Sequence, residues 1–286
     1  MQYALTAEEA KQFSQRIKID SKREDQSNLD YLNQIVQHFQ EYIPFQNAFL
    51  LATPVEKRRR LTWDEVKNDL LSGQGGLCYS LNLFFHIYLN AIGYKTDLAL
   101  STYSSPNDHT VIIVNDVIQN SDKYMIDVGS GYASSVALPL DFEDESPYYS
   151  FSYTTLKLKW DENKQNILRI HKSQKTGQEK VVLKFHLVPI QDYFVGLAEQ
   201  ERIFTDPTFT PFHRILCILS FNKDGARILE GRQLVRENIQ TNMLQNEGDE
   251  IQDENTFAEI CAKEFPSLNL ETCRNAYNHL FNKPVI

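Results

Sequence analysis

At Gly93 the hydrophobic rhythm of this chain changes, and that change limits the folds open to it. Upstream, Leu77, Leu81, Phe84, Phe85, Tyr88, Leu89 and Ile92 recur at steps of three and four, the period of a helix. Downstream, from Lys95 to about Ile190, apolar and polar residues alternate in short runs such as Leu156-Lys157-Leu158-Lys159-Trp160 and Leu183-Lys184-Phe185-His186-Leu187. Asp161 to Asn166 and Ser173 to Gln178 separate such runs. Helices and strands segregated in this way make an α+β chain whose strands form an antiparallel sheet or barrel.

The first 92 residues read as a helical unit. Leu29, Leu32, Val36 and Phe39 share one face, and Thr62-Trp63-Asp64-Glu65 is a capping box opening a helix that Gly73 closes. Beyond the strands the pattern is mixed. Ile215 to Phe221, the turn Asn222-Lys223-Asp224-Gly225 and Ala226 to Val235 predict a hairpin, followed by amphipathic helices near Phe257 to Phe265 and Leu270 to Leu280. Domains are therefore expected at 1–92, 93–200 and 201–286. The acidic stretches Asp141 to Glu145 and Glu247 to Glu254 read as exposed loops, and Lys57-Arg58-Arg59-Arg60 as a solvated surface segment.

With 286 residues, 42% of them hydrophobic, the chain can bury a substantial core shared by two or three subdomains. A net charge of -9 argues against general affinity for nucleic acid or anionic membrane and leaves a small molecule as the expected partner. Phe84 to Ile92, interrupted by His86 and Asn90, is too short to span a bilayer. Met1 to Glu9 lacks a basic start and an apolar stretch, so a cytoplasmic protein is expected. The four cysteines, Cys78, Cys217, Cys261 and Cys273, include no CxxC pair and are expected to be free thiols in a reducing compartment.

One of these cysteines stands apart. In Gly75-Gly76-Leu77-Cys78-Tyr79-Ser80-Leu81-Asn82 a glycine pair delivers Cys78 to the first turn of the apolar helix. Free N–H groups and the positive end of the helix dipole there lower a thiol pKa from its usual value of about 8.5. Such a nucleophile needs a base, and the base an orienting acceptor. His86, eight residues further on, lies about 12 Å along the helix and is expected to pack in the core or at its rim. His109 instead follows the loop Ser104-Ser105-Pro106-Asn107-Asp108 and opens the strand Thr110-Val111-Ile112-Ile113-Val114. A second strand, Tyr124-Met125-Ile126-Asp127-Val128, ends at Gly129-Ser130-Gly131. If Ile112 faces Tyr124 across an antiparallel pair, His109 faces Asp127 with Cβ atoms about 4.5–5.5 Å apart. Asp116 and Asp122 compete for that role, and both look like turn residues.

At these residues the chain resembles the arylamine N-acetyltransferases, which carry Arg-Gly-Gly-x-Cys-x-Glu-x-Asn, a histidine opening a later strand, and Asp-Val-Gly-Phe-Gly. Pro44-Phe45-Gln46-Asn47, Ala137-Leu138-Pro139-Leu140, Thr205-Asp206-Pro207-Thr208-Phe209 and Asp224 to Gly231 are similar to further family segments, so the resemblance runs from about residue 30 to 240. It implies a helical domain, a β-barrel domain and an α/β lid, with a triad of Cys78, His109 and Asp127 arranged as in cysteine proteases and transglutaminases. It also implies a ping-pong reaction, with acetyl-CoA as co-substrate, an arylamine or hydrazine as acceptor and no metal. The Cys78 N–H becomes a candidate oxyanion donor. Phe45 and Ser130 become candidate acceptor contacts, and Ser105, Pro106 and Thr208 candidate CoA contacts.

The sequence departs from the family at Gln74 for arginine and Gln46 for glutamate, two amides expected to hydrogen-bond each other. Ser80 replaces the motif glutamate, and Ser130 replaces a phenylalanine, which should widen the acceptor pocket or weaken aromatic stacking in it. The same triad would also suit a hydrolase or transamidase, and the departures would suit a catalytically weak homologue or a binding module.

Overall fold

The computed structural model describes residues 3–193 and 197–282. Its helical part comprises α1 (Ala7–Arg16), α2 (Asn28–Tyr42), α3 (Ala48–Ala52), α4 (Trp63–Ser72) and α5 (Cys78–Ala91). Both ends of α4 follow from its capping chemistry. Thr62 and Glu65 form the reciprocal capping box, and Gly73 closes the helix at φ 86°. Helix α5 is buried at every residue from Cys78 to Leu89, as expected of a central helix with apolar residues on all sides. A strand absent from the sequence reading, β1 (Phe45–Gln46), interrupts the helices.

Eight antiparallel strands follow: β2 (Lys95–Thr102), β3 (His109–Asn115), β4 (Lys123–Ile126), β5 (Leu138–Pro139), β6 (Tyr149–Phe151), β7 (Thr154–Trp160), β8 (Ile167–Lys172) and β9 (Glu179–Pro189). They form one curled sheet in the order β5-β4-β3-β2-β9-β8-β7-β6, a half-barrel whose edge strands are not hydrogen-bonded to each other. Alternation divides its two faces. Ile112, Val114 and Ile126 pack with the helices, whereas Val111, Ile113, Met125, Ile167 and Leu183 pack together on the opposite face. His109, Asp127 and Arg169, each two residues along from Val111, Met125 and Ile167, continue that second face.

After the short α6 (Glu201–Thr205), β10 (Cys217–Asn222), β11 (Gly225–Glu230), β12 (Gln233–Asn238) and β13 (Met243–Glu247) build a second sheet, ordered β1-β10-β11-β12-β13. The expected hairpin closes at Asn222 opposite Gly225. Its second arm is shorter than the apolar pattern suggests, because Gly231 at φ 59° turns the chain back into β12. Helices α7 (Glu254–Glu264) and α8 (Leu270–Phe281) cover this sheet through Phe257, Cys261, Cys273 and Tyr277. Phe45 and Gln46 pair with Leu219 and Ile218, so a segment of the helical part is stitched into the last sheet. Among the described residues no helix is long and apolar enough to cross a membrane.

In the basic cluster Lys57 and Arg59 are exposed as expected, whereas Arg58 is not. Arg58 is 7% exposed and donates to the Thr53 carbonyl, His213 Nδ1 and His279 Nε2. Two histidine acceptors on distant segments, buried His213 and half-buried His279, are unreadable from local composition and draw it inward.

Candidate active site

Strand β1 fixes the loop that presents Cys78. The Gly76 carbonyl accepts the Gln46 N–H at 3.0 Å, and the Gly76 N–H donates to Pro44 O at 3.3 Å. Gly75 adopts φ +71°, and a Cβ there would lie 1.9 Å from Pro44 O, so the close approach admits only glycine. Leu77 caps α5 without a side-chain hydrogen bond, which leaves the first-turn N–H groups around Cys78 unclaimed by a cap. A second glycine brings the sheet up to this turn. At Gly129 a Cβ would stand 2.8 Å from Cys78 Cα and 2.9 Å from Asn82 Nδ2.

Cys78, His109 and Asp127 meet here, all buried. His109 Nε2 lies 3.1 and 3.0 Å from the two Asp127 carboxylate oxygens, and Cys78 stands beside the same imidazole, whose Nδ1 is not engaged by Asp127. The strand register differs from the expected one by two residues. Ile112 pairs with Ile126 and Val114 with Tyr124, so continuing the ladder puts Asp127 beside Val111. A two-residue shift preserves the face, and His109 and Asp127 become diagonal neighbours about 7–8 Å apart, within reach of their side chains.

Burial opposes a charged His109, but the Asp127 carboxylate and the Cys78 sulfur outweigh it and raise its pKa from 6.5 to about 10. Burial likewise opposes ionised Asp127. His109, Arg169 and Asn82 nevertheless hold its carboxyl below the usual 3.8. Two of the other cysteines are poor rivals: burial pushes the Cys217 thiol up to about 12, and contact with Cys273 together with burial raises Cys261. Asp116 and Asp122 serve turns, Asp122 accepting the N–H groups of Val117, Ile118 and Gln119. His86, bonded to Tyr193 and Thr96, is depressed to about 4 by burial and stays in the core.

A cavity of about 250 Å³ opens onto Cys78 and His109, and both expected acceptor contacts, Phe45 and Ser130, line it. Tyr103, Phe209 and Phe212 complete its aromatic wall. Ser105, Pro106 and Thr208 are not part of the lining, although their neighbours Ser104 and Phe209 are. The Ser105 N–H and the Thr208 hydroxyl are both engaged by nearby carboxylates, Asp108 and Asp206.

Four further residues complete the site. Asn82 donates to Asp127 Oδ1 at 2.9 Å and to Thr110 O at 2.8 Å, and accepts the Gly129 N–H, pinning α5 to both strands. Asp108 fixes the preceding loop by accepting three successive N–H groups, from Tyr103, Ser104 and Ser105. The Tyr103 ring stands edge-on to His109 with centroids 5.4 Å apart. Arg169, with no exposed surface, reaches Asp127 Oδ2 at 3.2 Å. Its signal in the sequence is an arginine at an inward position of an alternating strand.

The amides at the family's charged positions do not pair side chain to side chain. Gln46 donates to the Gln74 backbone carbonyl at 3.1 Å, and the Gln74 side chain reaches away to Ser267 O and the Asn269 N–H. With no opposite charges to draw the two side chains together, each satisfies itself on backbone. The Ser80 hydroxyl is buried with no hydrogen-bond partner among the described residues.

A helical region set against a curled antiparallel half-barrel is also the architecture of solved structures similar to this one. Arylamine N-acetyltransferase of Mycobacterium marinum in complex with CoA matches at TM-score 0.77 and 17% identity, over 95% of this chain and 100% of that one. Arylamine N-acetyltransferase C of Bacillus anthracis matches at TM-score 0.72 and 19% identity, over 92% and 100%. An arylamine N-acetyltransferase of Bacillus cereus, whose structure revealed a Cys-His-Glu catalytic triad, matches at TM-score 0.73 and 19% identity, over 91% and 99%. No curated protein matches the chain.

The sequence model described as N-acetyltransferase matches residues 28–273. The chain belongs to the arylamine N-acetyltransferase family and is an acetyltransferase enzyme.

Proposed function

We propose that the protein transfers acetyl groups from acetyl-CoA to an arylamine or hydrazine by ping-pong exchange through an acetyl-Cys78 thioester. Cys78 and a His109 held by Asp127 lining one aromatic cavity carry this reading. His109 keeps its proton well above neutral pH, and in this reading Cys78 works as the thiolate beside it.

In the first half-reaction the thiolate attacks the carbonyl carbon of acetyl-CoA, and the Cys78 N–H supports the developing oxyanion. The tetrahedral adduct collapses with cleavage of the bond to the CoA sulfur, which takes the His109 proton and leaves as the thiol. In the second, the amine nitrogen attacks the acetyl-Cys78 carbon and His109 accepts an N–H proton. Cys78 departs as thiolate, and the ion pair is restored. Asp127 holds the imidazole so that Nδ1 works on sulfur and nitrogen while Nε2 stays bonded.

Phe45, Tyr103, Phe209 and Phe212 suit a flat apolar acceptor, and Ser130, smaller than phenylalanine, leaves room for a substituted ring. The M. marinum complex supports CoA as the donor's carrier. Its outer portion would leave past Ser105 and Pro106 on one side and Thr208 on the other, next to cavity-lining Ser104 and Phe209. The free cysteines support a reducing, cytoplasmic setting.

Initial rates with acetyl-CoA and a panel of arylamines and hydrazines test the proposal. Parallel double-reciprocal lines, with one equivalent of CoA released before amine is added, are expected; intersecting lines without that release would refute a ping-pong route.

A further inference from the structure

Arg169 is an expensive residue to keep. Its guanidinium is fully buried, it spends one nitrogen on Asp127, and its Nε and Nη2 have no hydrogen-bond partner among the described residues. Leaving donors of a buried cation unpaired costs stability, so satisfying hydrogen bonds does not account for it. It also sits at an irregularity of the sheet: the register of β8 against β9 shifts between Arg169 and Ile170, with Val182 of β9 left over opposite them. Its target is the oxygen that also faces the imidazole, since Asp127 Oδ2 lies 3.2 Å from Arg169 Nη1 and 3.0 Å from His109 Nε2.

We infer that Arg169 is a positioning residue that keeps the buried site electrically neutral in both halves of the reaction, and so frees His109 to act as a base once Cys78 is acetylated. The inference rests on the acyl-transfer reading above and deepens it. In the resting site two anions, Cys78 thiolate and Asp127, balance two cations, His109 and Arg169. Acetylation removes the sulfur charge, and the His109 proton leaves with CoA. Asp127 and Arg169 then remain as a neutral pair. Without Arg169 the acetyl-enzyme would hold a lone buried carboxylate, which neutralises itself by keeping a proton on His109, the proton acceptor that the amine requires.

Among the described residues, the groups facing His109 include no other cation to do this. Cys78 and Asp127 contact it, Tyr103 packs on its ring, and the adjacent Asp108 is bound to three backbone N–H groups. His171, on the same strand as Arg169, packs on Tyr132 and is depressed to about 3 by burial and by the Arg169 charge, so it stays neutral.

The test needs no acyl donor. Alkylating Cys78 with iodoacetamide caps the sulfur as acetylation would, and NMR titration of the His109 ring then reads its proton affinity. In the wild-type protein the His109 midpoint should fall well below the value of about 10 of the ion-paired state. In capped Arg169→Met it should rise by roughly one to three pH units, with Arg169→Lys restoring the wild-type value. A capped wild-type midpoint still near 10, or a well-folded Arg169→Met with an unshifted midpoint, would overturn the inference. Should Arg169→Met not fold, the wild-type midpoint and the Arg169→Lys match still decide. If acetyl-CoA fails to acetylate Cys78, the acyl-transfer reading falls, and the titration separately reports what Arg169 does to His109.

Discussion

His109 and Asp127 carry the pH behaviour of the site. His109 binds its proton more tightly folded than unfolded, so its stabilising contribution is complete below about 6.5 and is lost as pH rises through about 10. Asp127 binds its proton less tightly folded, so its contribution is present above 3.8 and is lost as pH falls through its lowered value. Chemical denaturation of the wild-type protein should therefore show stability falling from neutral pH toward 10, and His109→Gln should flatten that alkaline slope. A variant that retains the full slope would place it elsewhere. Asp127→Asn keeps the shape but offers Nε2 the wrong charge, and should slow acyl transfer by about 10³–10⁴-fold in single-turnover assays. The Cys-His-Asp trio was legible in the sequence because each member stands at an element end beside glycine or a polar loop. Arg169 was not, because its partner is 42 residues away and is reached across the strand order of the sheet.

Elements meet at the site only where glycine lets them. Adding a methyl group at Gly129 would drive it into the backbone of Cys78, and no flexible side-chain end can yield. Gly129→Ala should cost about 1–3 kcal/mol in denaturant melts and lower the rate of Cys78 alkylation, because α5 must withdraw from the strands. A variant with wild-type stability and reactivity would contradict that contact. The capping box of α4, the last two helices and the Asn222 to Gly225 turn were readable because local chemistry decides them. The β3–β4 register was not. The segment from Asp116 to Asp122 joining those strands is too long to fix pairing, and only the packed structure shows Val114 opposite Tyr124. Strand β1 escaped notice for a related reason: at two residues it has no period, and its partner, β10, lies far along the chain.

Across the whole molecule, the Cys78 loop is tied to distant parts of the chain. Gln46 belongs to the last sheet through Ile218 and bonds the backbone of Gln74, whose side chain binds Ser267 and Asn269 between α7 and α8. Family charges at these two positions are replaced by amides that act as backbone links. Gln74→Ala should therefore loosen the C-terminal helices, read as faster amide exchange in α8 and a loss of about 1–2 kcal/mol, and leave the His109 titration unchanged. Unaltered exchange in α8 would show the link to be idle. All of these features converge on one sulfur atom, held in an aromatic cavity against a charged imidazole. Intact-mass analysis of the protein mixed with acetyl-CoA, without any amine, tests that convergence most directly. One added acetyl group, mapped to Cys78, absent from Cys78→Ala and discharged by an arylamine, is the predicted result; a wild-type protein whose mass never changes would contradict the account.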